Sequence, residues 1–99
     1  MITLEEAERS VSDYLKTIWT RADDTYIILS EYTKCEDFGW IIFWGSERYH
    51  RTRDPKDRLL NNAPLIVSNI DGKIYSTGTA NGLDYWIELF RQGKLIARN

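Results

Sequence analysis

The chain has 99 residues and a net charge of −2, and 42 % of its residues are hydrophobic. This length predicts one domain over residues 1–99, with a core that needs no metal or disulfide for stability. A single cysteine, Cys35, and a single histidine, His50, exclude an intramolecular disulfide and a zinc site of four Cys or His ligands. The sequence pI of about 5.3 disfavours nucleic-acid binding, which depends on a basic surface.

Export and membrane insertion are not expected from the sequence. The N-terminus carries Glu5 and Glu6 where a signal peptide has a basic region and then an apolar stretch. The longest apolar run, 40–44, is far shorter than the roughly 20 residues that span a bilayer. With one thiol and no export signal, we expect a cytoplasmic protein without a membrane partner.

The first half of the chain predicts a helix and two strands. A capping-box pattern and apolar residues at spacings of three and four predict a helix from Thr3 to about Thr20. Residues 25–32 and 38–45 are rich in β-branched and aromatic side chains, so we predict two strands that pair in an antiparallel hairpin. The charged residues 34–37 between them are predicted as a turn.

The predicted strand 38–45 is apolar on both faces. Trp40 and Trp44 share one face, whereas Ile41 and Phe43 lie on the other, a pattern typical of a central strand that is covered on both sides. We expect Trp40 to pack in the core. Trp44 is expected to be partly exposed at the outer end of the strand and available to a partner.

The second half of the chain predicts a loop, a hairpin and a helix. The mixed charges of 47–58 indicate a loop, and 64–77 contains two short strands around an Asp-Gly turn. An apolar stripe and a following glycine predict a helix over 81–92, after which 94–99 should fray. The order of elements predicts an α+β domain with an N-terminal helix, a mainly antiparallel sheet of about four strands and a C-terminal helix.

No set of reactive side chains in the sequence indicates catalysis. His50 is the only candidate imidazole base and lies among arginines, and Cys35 is followed directly by two acids. The adjacent acids at 23–24 and 36–37 are expected to be hydrated surface groups, and no glycine-rich phosphate motif is present. We therefore predict no enzymatic activity, no catalytic residues, no cofactor and no metal site.

Four segments of the chain resemble one known family. They are Met1–Arg9 (MITLEEAER), Asp37–Trp40 (DFGW), Asn62–Val67 (NAPLIV) and Gly78–Ala80 (GTA). In this order, over nearly the whole chain, they resemble the immunity protein 35 family, also described as YrhB-like. The resemblance implies a small bacterial α+β protein that binds and neutralises a cognate polymorphic toxin. It also implies an alternative, a chaperone-like or general protein-interaction module.

A binder of this kind needs a complementary surface, which we predict at one end of the sheet. The predicted partner-binding residues are Glu31, Tyr32, Asp37, Trp44, Glu47 and Tyr49. Acidic groups on this surface would mimic the phosphates bound by a nuclease toxin, whereas Arg48, Arg51 and Arg53 would suit an acidic target. The sequence leaves both alternatives open. The expected partner is a protein toxin, and the expected state is a monomer or weak homodimer.

Overall fold

The computed structural model describes all 99 residues and contains three helices and six strands. The helices are α1 (Leu4–Ile18), α2 (Glu47–Thr52) and α3 (Leu83–Arg91). The strands are β1 (Tyr26–Ile28), β2 (Lys34–Glu36), β3 (Gly39–Ile42), β4 (Trp44–Ser46), β5 (Leu65–Ser68) and β6 (Ile74–Ser76). Short 3-10 turns occupy Ser30–Tyr32 and Pro55–Asp57. The predicted α+β architecture is confirmed.

All strand pairing is antiparallel, in two sheets. The larger sheet has the order β2-β3-β5-β6, and the smaller pairs β1 with β4. The predicted strand 38–45 is divided between the sheets, because β3 ends at Ile42, β4 begins at Trp44, and Phe43 lies between them. The predicted antiparallel pairing of the first two strand segments is confirmed in β1 and β4, where Ile27 is opposite Gly45.

The larger sheet is covered on both faces, as its apolar central strand predicts. On one face α1 packs against the sheet in a cluster of eight buried residues: Ala7, Val11, Leu15, Ile42, Trp44, Leu65, Val67 and Ile74. On the opposite face the ring of Phe90 in α3 lies 4.7 Å from that of Phe38 and 5.1 Å from that of Tyr75. Ile41 and Ile66 are opposite each other in β3 and β5 and are fully buried.

Helix α1 begins as the sequence predicts. Thr3 caps it, because its Oγ1 accepts a hydrogen bond from the Glu6 N–H at 3.1 Å while the Glu6 carboxylate accepts one from the Thr3 N–H at 3.0 Å. Each side chain thus satisfies a backbone donor that the helix leaves unpaired. The helix ends at Ile18, two residues before the predicted Thr20.

Two predictions for the strand region are wrong. The predicted strand 25–32 ends at Ile28, and a 3-10 turn then moves the chain from the smaller sheet to the larger one. The predicted turn 34–37 contains β2 instead, in which Cys35 is opposite Trp40. Its charged composition is compatible with a strand because β2 lies at the edge of the sheet and is exposed at Lys34 and Cys35.

Gly39, within the Asp-Phe-Gly-Trp segment, is required by its backbone conformation and its surroundings. Its φ is +148°, and a Cβ at this position would collide with the backbone carbonyl of Val67 in the neighbouring strand. Only glycine reaches this conformation without steric cost. The β2–β3 turn can therefore press against β5, where the Phe38 carbonyl accepts a hydrogen bond from the Asn69 N–H at 2.9 Å.

In the second half of the chain, the hairpin and the last helix are confirmed, but two segments differ from prediction. Residues 47–58 contain α2 and a 3-10 turn where a loop was expected. The segment 94–99 does not fray, because the Arg98 N–H donates to the Ile74 carbonyl at 2.7 Å and the Asn99 side chain accepts from the Ile74 N–H at 2.8 Å. These contacts place the tail along the outer edge of β6.

The structure buries Trp44 more deeply than Trp40, contrary to expectation. Trp44 belongs to the buried cluster with 8 % of its surface exposed, and its indole Nε1–H donates to the Ala63 carbonyl at 2.9 Å. The Asn62 side chain in turn donates to the Trp44 carbonyl at 2.8 Å. Trp40 is only partly buried against the same cluster. The expected exposure of Trp44 is wrong because residues 59–63 fold over it.

We expect Trp44→Ala to lower the free energy of unfolding by about 3 to 5 kcal/mol, because it empties a buried site and leaves the Ala63 carbonyl unpaired. Trp40→Ala removes a partly exposed ring and should cost clearly less. Urea denaturation followed by circular dichroism measures both changes. An equal loss of stability in the two variants would contradict the assigned burial.

Candidate partner-binding site

The six predicted partner-binding residues do not form one surface in the structure. Asp37 lies in the turn before β3, whereas Glu47 and Tyr49 lie in α2 after β4, so they are at opposite ends of the β3–β4 run. Glu31 and Tyr32 are exposed in the 3-10 turn that follows β1. Trp44 is in the core, as described above. Glu31 and Tyr32 remain neighbours in that turn, and Glu47 and Tyr49 remain together on one short helix.

Two of the predicted acidic residues already have partners within the chain. Arg91 of α3 donates to both carboxylate oxygens of Asp37, at 2.9 and 3.3 Å, and its guanidinium lies 5.0 Å from the Phe38 ring centroid. The hydrogen bond from Arg91 lowers the pKa of Asp37. Glu47 accepts from Arg51 one helical turn away, at 3.2 Å. Neither carboxylate is left as an isolated negative charge.

A cleft of about 570 Å³ opens beside α2, and we call it the α2 cleft. It is lined by Gly45, Ser46, Tyr49, His50, Arg58, Leu59, Leu60, Asn62 and Thr79. Predicted partner residue Tyr49 is on its wall. Arg58 and Leu60 are not among the residues predicted from sequence, although two adjacent leucines in a polar loop are an unusual feature that indicates either core packing or a contact surface.

The inner part of the α2 cleft depends on a glycine and an amide. A Cβ at Gly45 would lie 3.1 Å from Nε2 of His50, which is a tight contact, so the glycine leaves room for the imidazole beside the β4 backbone. The Asn62 amide lies beside the same position and is held by its hydrogen bond to the Trp44 carbonyl. The Asn62 amide therefore faces the cleft from a fixed position.

The buried carboxylate of Asp24 fixes α2 against the rest of the molecule. Only 1 % of its side chain is exposed. Its Oδ1 accepts from the backbone N–H groups of Thr25 at 2.7 Å and Arg48 at 3.0 Å, and its Oδ2 accepts from the Ser46 hydroxyl and from Arg21 at 3.4 Å. Adjacent acids at 23–24 were expected to be hydrated surface groups. This is wrong for Asp24, although Asp23 is exposed.

The electrostatic surroundings of Asp24 favour its charged form. Burial by itself would raise the pKa of this carboxyl, but the hydrogen bonds from Ser46, from the Arg48 and Thr25 N–H groups and from Arg21 outweigh burial and hold the pKa below 3.8, its ordinary value. Ser46 also caps α2, since its Oγ accepts from the Tyr49 N–H at 3.0 Å. The carboxylate thus orients the residue that starts the helix.

Two arginines extend this network to the mouth of the α2 cleft. Arg21 donates to the backbone carbonyls of Asp57 at 2.5 Å and Arg58 at 3.2 Å. Arg48 pairs with Asp23 at 3.0 Å and lies 3.9 Å from the buried Asp57 carboxylate. These contacts hold the backbone of 57–58 in place, while the Arg58 side chain itself points out without an ion pair.

The side chains considered for nucleophilic chemistry are not assembled into a site. Cys35 is exposed on the edge strand β2, whereas His50 lies in the α2 cleft. The Ser46 hydroxyl also lines that cleft, but its hydrogen bonds with the Asp24 carboxylate and the Tyr49 N–H are structural. No group of three or more His, Cys, Asp or Glu side chains is arranged to hold a metal ion.

Fold and site define a small α+β domain with an open cleft beside a short, firmly anchored helix. The model of the family Immunity protein 35 matches residues 5–89. Uncharacterized protein YrhB of Escherichia coli (strain K12) is 27 % identical over 88 residues, which cover 89 % of this chain and 87 % of that protein. No solved structure matches the chain. The chain belongs to the immunity protein 35 family. None of its helices is long and apolar enough to cross a membrane.

We expect Asp24→Asn to lower the free energy of unfolding by about 3 kcal/mol, because it leaves Arg21 without its buried anionic partner. The pKa of Asp24 is lower in the folded state than in the unfolded state. The Asp24 carboxylate therefore stabilises the fold above pH 4, and this stabilisation is lost as the pH falls through the folded-state pKa. Urea denaturation at pH 7 and at pH 3 measures both effects.

Asp13→Asn is the matched control, because Asp13 forms an exposed pair with Lys16 and should change stability little. The difference in free energy of unfolding between the wild type and Asp24→Asn should be smaller at pH 3 than at pH 7. A gap that is constant from pH 7 to pH 3 would show that the Asp24 charge does not stabilise the fold.

Proposed function

We propose that this protein is an immunity protein that binds a cognate bacterial toxin and neutralises it through protein–protein contact, without catalysis of its own. Membership of the immunity protein 35 family, matched over residues 5–89, carries this proposal. The membership itself indicates an immunity role against toxins. Neutralisation by direct binding, within the cytoplasm of a bacterium with a polymorphic toxin system and by a monomer or weak homodimer, is what we propose in addition.

The arrangement of the site supports a binding role. The side chains at the α2 cleft differ in character, with an aromatic ring, an imidazole, a guanidinium and an exposed leucine close together. Aromatic residues and arginine provide most of the affinity in protein interfaces. The backbone beneath them is fixed by the Asp24 network, so little conformational freedom would be lost on binding.

Of the six residues predicted from sequence, we retain five as partner-binding candidates: Glu31, Tyr32, Asp37, Glu47 and Tyr49. Tyr49 is the strongest of these because it is on the wall of the α2 cleft. Tyr32, which is 60 % exposed, would belong to a second contact area, since it lies in the 3-10 turn beside β2. Trp44 is excluded because its ring is buried.

A chaperone-like or general protein-interaction module is the second candidate function. Several large apolar side chains are exposed in different parts of the fold, including Leu60 at 85 %, Ile70 at 75 % and Ile96 at 81 %. Dispersed apolar contacts suit a protein that binds many unfolded clients, whereas a specific inhibitor needs one complementary surface.

Growth rescue tests the proposed function. Expression of the toxin encoded beside this gene should stop growth of a bacterial host, and co-expression of this chain should restore it. Gly39→Val is the control variant, because its side chain would collide with the Val67 carbonyl and prevent folding. A toxin that kills equally with and without the wild-type chain would contradict the proposal.

The chaperone alternative makes a different prediction. It expects the purified chain to reduce the light scattering of two unrelated heat-denatured enzymes at equimolar ratio. An immunity protein should leave both unaffected while it protects against its own toxin. Protection of both enzymes together with failure of growth rescue would favour the alternative.

A further inference from the structure

The α2 cleft carries positive charge that the chain does not neutralise. None of its nine lining residues is an aspartate or a glutamate, and Arg58 is among them. The Arg58 side chain forms no ion pair, although the chain as a whole has a net charge of −2. The unpaired Arg58 therefore makes the cleft locally cationic on a protein that is acidic as a whole.

Three other basic residues of the segment 47–58 are neutralised within the chain. Arg48 pairs with Asp23, Arg51 with Glu47 and Lys56 with Asp54. Arg53 forms no ion pair, and its guanidinium lies 5.7 Å from the centroid of the Tyr49 ring on the cleft wall. The free cations are therefore Arg58, which lines the cleft, and Arg53, which lies on Tyr49.

Next to this charge the cleft offers apolar surface. Leu60 is 85 % exposed, and Leu59 lies beside it on the same lining segment. An exposed leucine adjacent to an unpaired arginine combines the two elements that an interface anchor uses, apolar area and a directed charge.

We infer that the α2 cleft receives an aspartate or glutamate side chain from a loop of the cognate toxin, with the carboxylate bound by Arg58 and an adjacent apolar residue packed on Leu60. This inference rests on the proposed function and adds to it the chemistry of the partner. Arginine binds carboxylates through two parallel hydrogen bonds, which fixes the orientation of the bound group. A volume of about 570 Å³ holds a side chain with part of its loop.

A protein loop fits this site better than a nucleic acid does. A nucleic acid needs several cations to follow successive phosphates. Here one free arginine, Arg58, lines the cleft with two leucines and a second, Arg53, lies on the Tyr49 ring, in a protein with a net charge of −2. Of the two alternatives that the sequence left open, an acidic target and a phosphate-mimicking surface, the cleft thus supports the acidic target.

Affinity measurements with charge-reversed variants test this inference. We expect Arg58→Glu to weaken binding of the purified toxin by about 100-fold, because it places a carboxylate against the bound one. Lys94→Glu makes the same change of charge beyond α3, whose Arg91 pairs with Asp37 at the other end of the sheet, and should leave the Kd unchanged. Leu60→Ala should weaken binding by about 10-fold, whereas Ile96→Ala, equally exposed elsewhere, should not.

A second-site selection identifies the toxin group. Toxin variants that still kill but are again neutralised by Arg58→Glu should carry Lys or Arg in place of one Asp or Glu. Recovery of such a pair would confirm a direct contact, since a purely structural role of Arg58 would give no charge-specific suppressor. Melting temperatures of all variants should equal that of the wild type.

The outcomes separate the inference from the proposed function. If Arg58→Glu binds the toxin with the wild-type Kd, the inference is wrong and the proposed function stands. If the wild-type chain neither binds nor neutralises the toxin, the proposed function fails. In that case a titration followed by NMR decides the chemistry of the cleft, with the peptide acetyl-Leu-Glu-Leu-amide, its Gln analogue and a short DNA duplex as probes. Shifts at Tyr49 and Arg58 with the Glu peptide alone would support carboxylate binding, whereas no shift, or shifts with DNA, would overturn it.

Discussion

The position of α2, and with it the cleft, depends on one buried carboxylate. Asp24 accepts hydrogen bonds from the chain before β1, from the end of β4 and from the first turn of α2. A charge this deeply buried is tolerated only when its lone pairs are satisfied, and here four donors provide that. The same four contacts connect the segment before β1, the end of β4 and the first turn of α2. Because α2 has no buried residue of its own, electrostatics anchors this helix, whereas β1 and β4 also pack on the hydrophobic core.

Some elements are specified by their own residues and others by contacts with distant segments, and this difference explains which elements the sequence predicts. Helices α1 and α3 and the β5–β6 hairpin carry their own periodicity and turn residues, so local rules identify them. Strand β2 is a strand only because β3 lies beside it, and its Lys-Cys-Glu sequence has the composition of a turn. Helix α2 has no apolar stripe and starts where Ser46 caps it. Elements that form only through contacts with distant residues show no recognisable pattern in their own sequence.

The candidate site was less predictable than the fold for the same reason. The alternation of side chains along the strand assigns Trp44 to one face of the sheet. The residues that bury it, Asn62 and Ala63, lie eighteen and nineteen positions later in the chain. The pairing of Asp37 with Arg91 joins residues 54 positions apart. Tyr49, which the sequence proposed for an exposed aromatic anchor, lies half-buried on the cleft wall. Arg58 and Leu60 became recognisable only once the cleft between them and α2 was visible.

The tail along β6 also limits how copies of this molecule can associate. With β6 covered by the contacts of Ala97 and Arg98, the larger sheet has one open edge, the three-residue strand β2. A sheet with two open edges can add copies at both sides without end and grow into a fibre. A sheet with one open edge can pair once, about a two-fold axis, and then presents no further edge. Strand pairing through this sheet is therefore self-limiting at two chains.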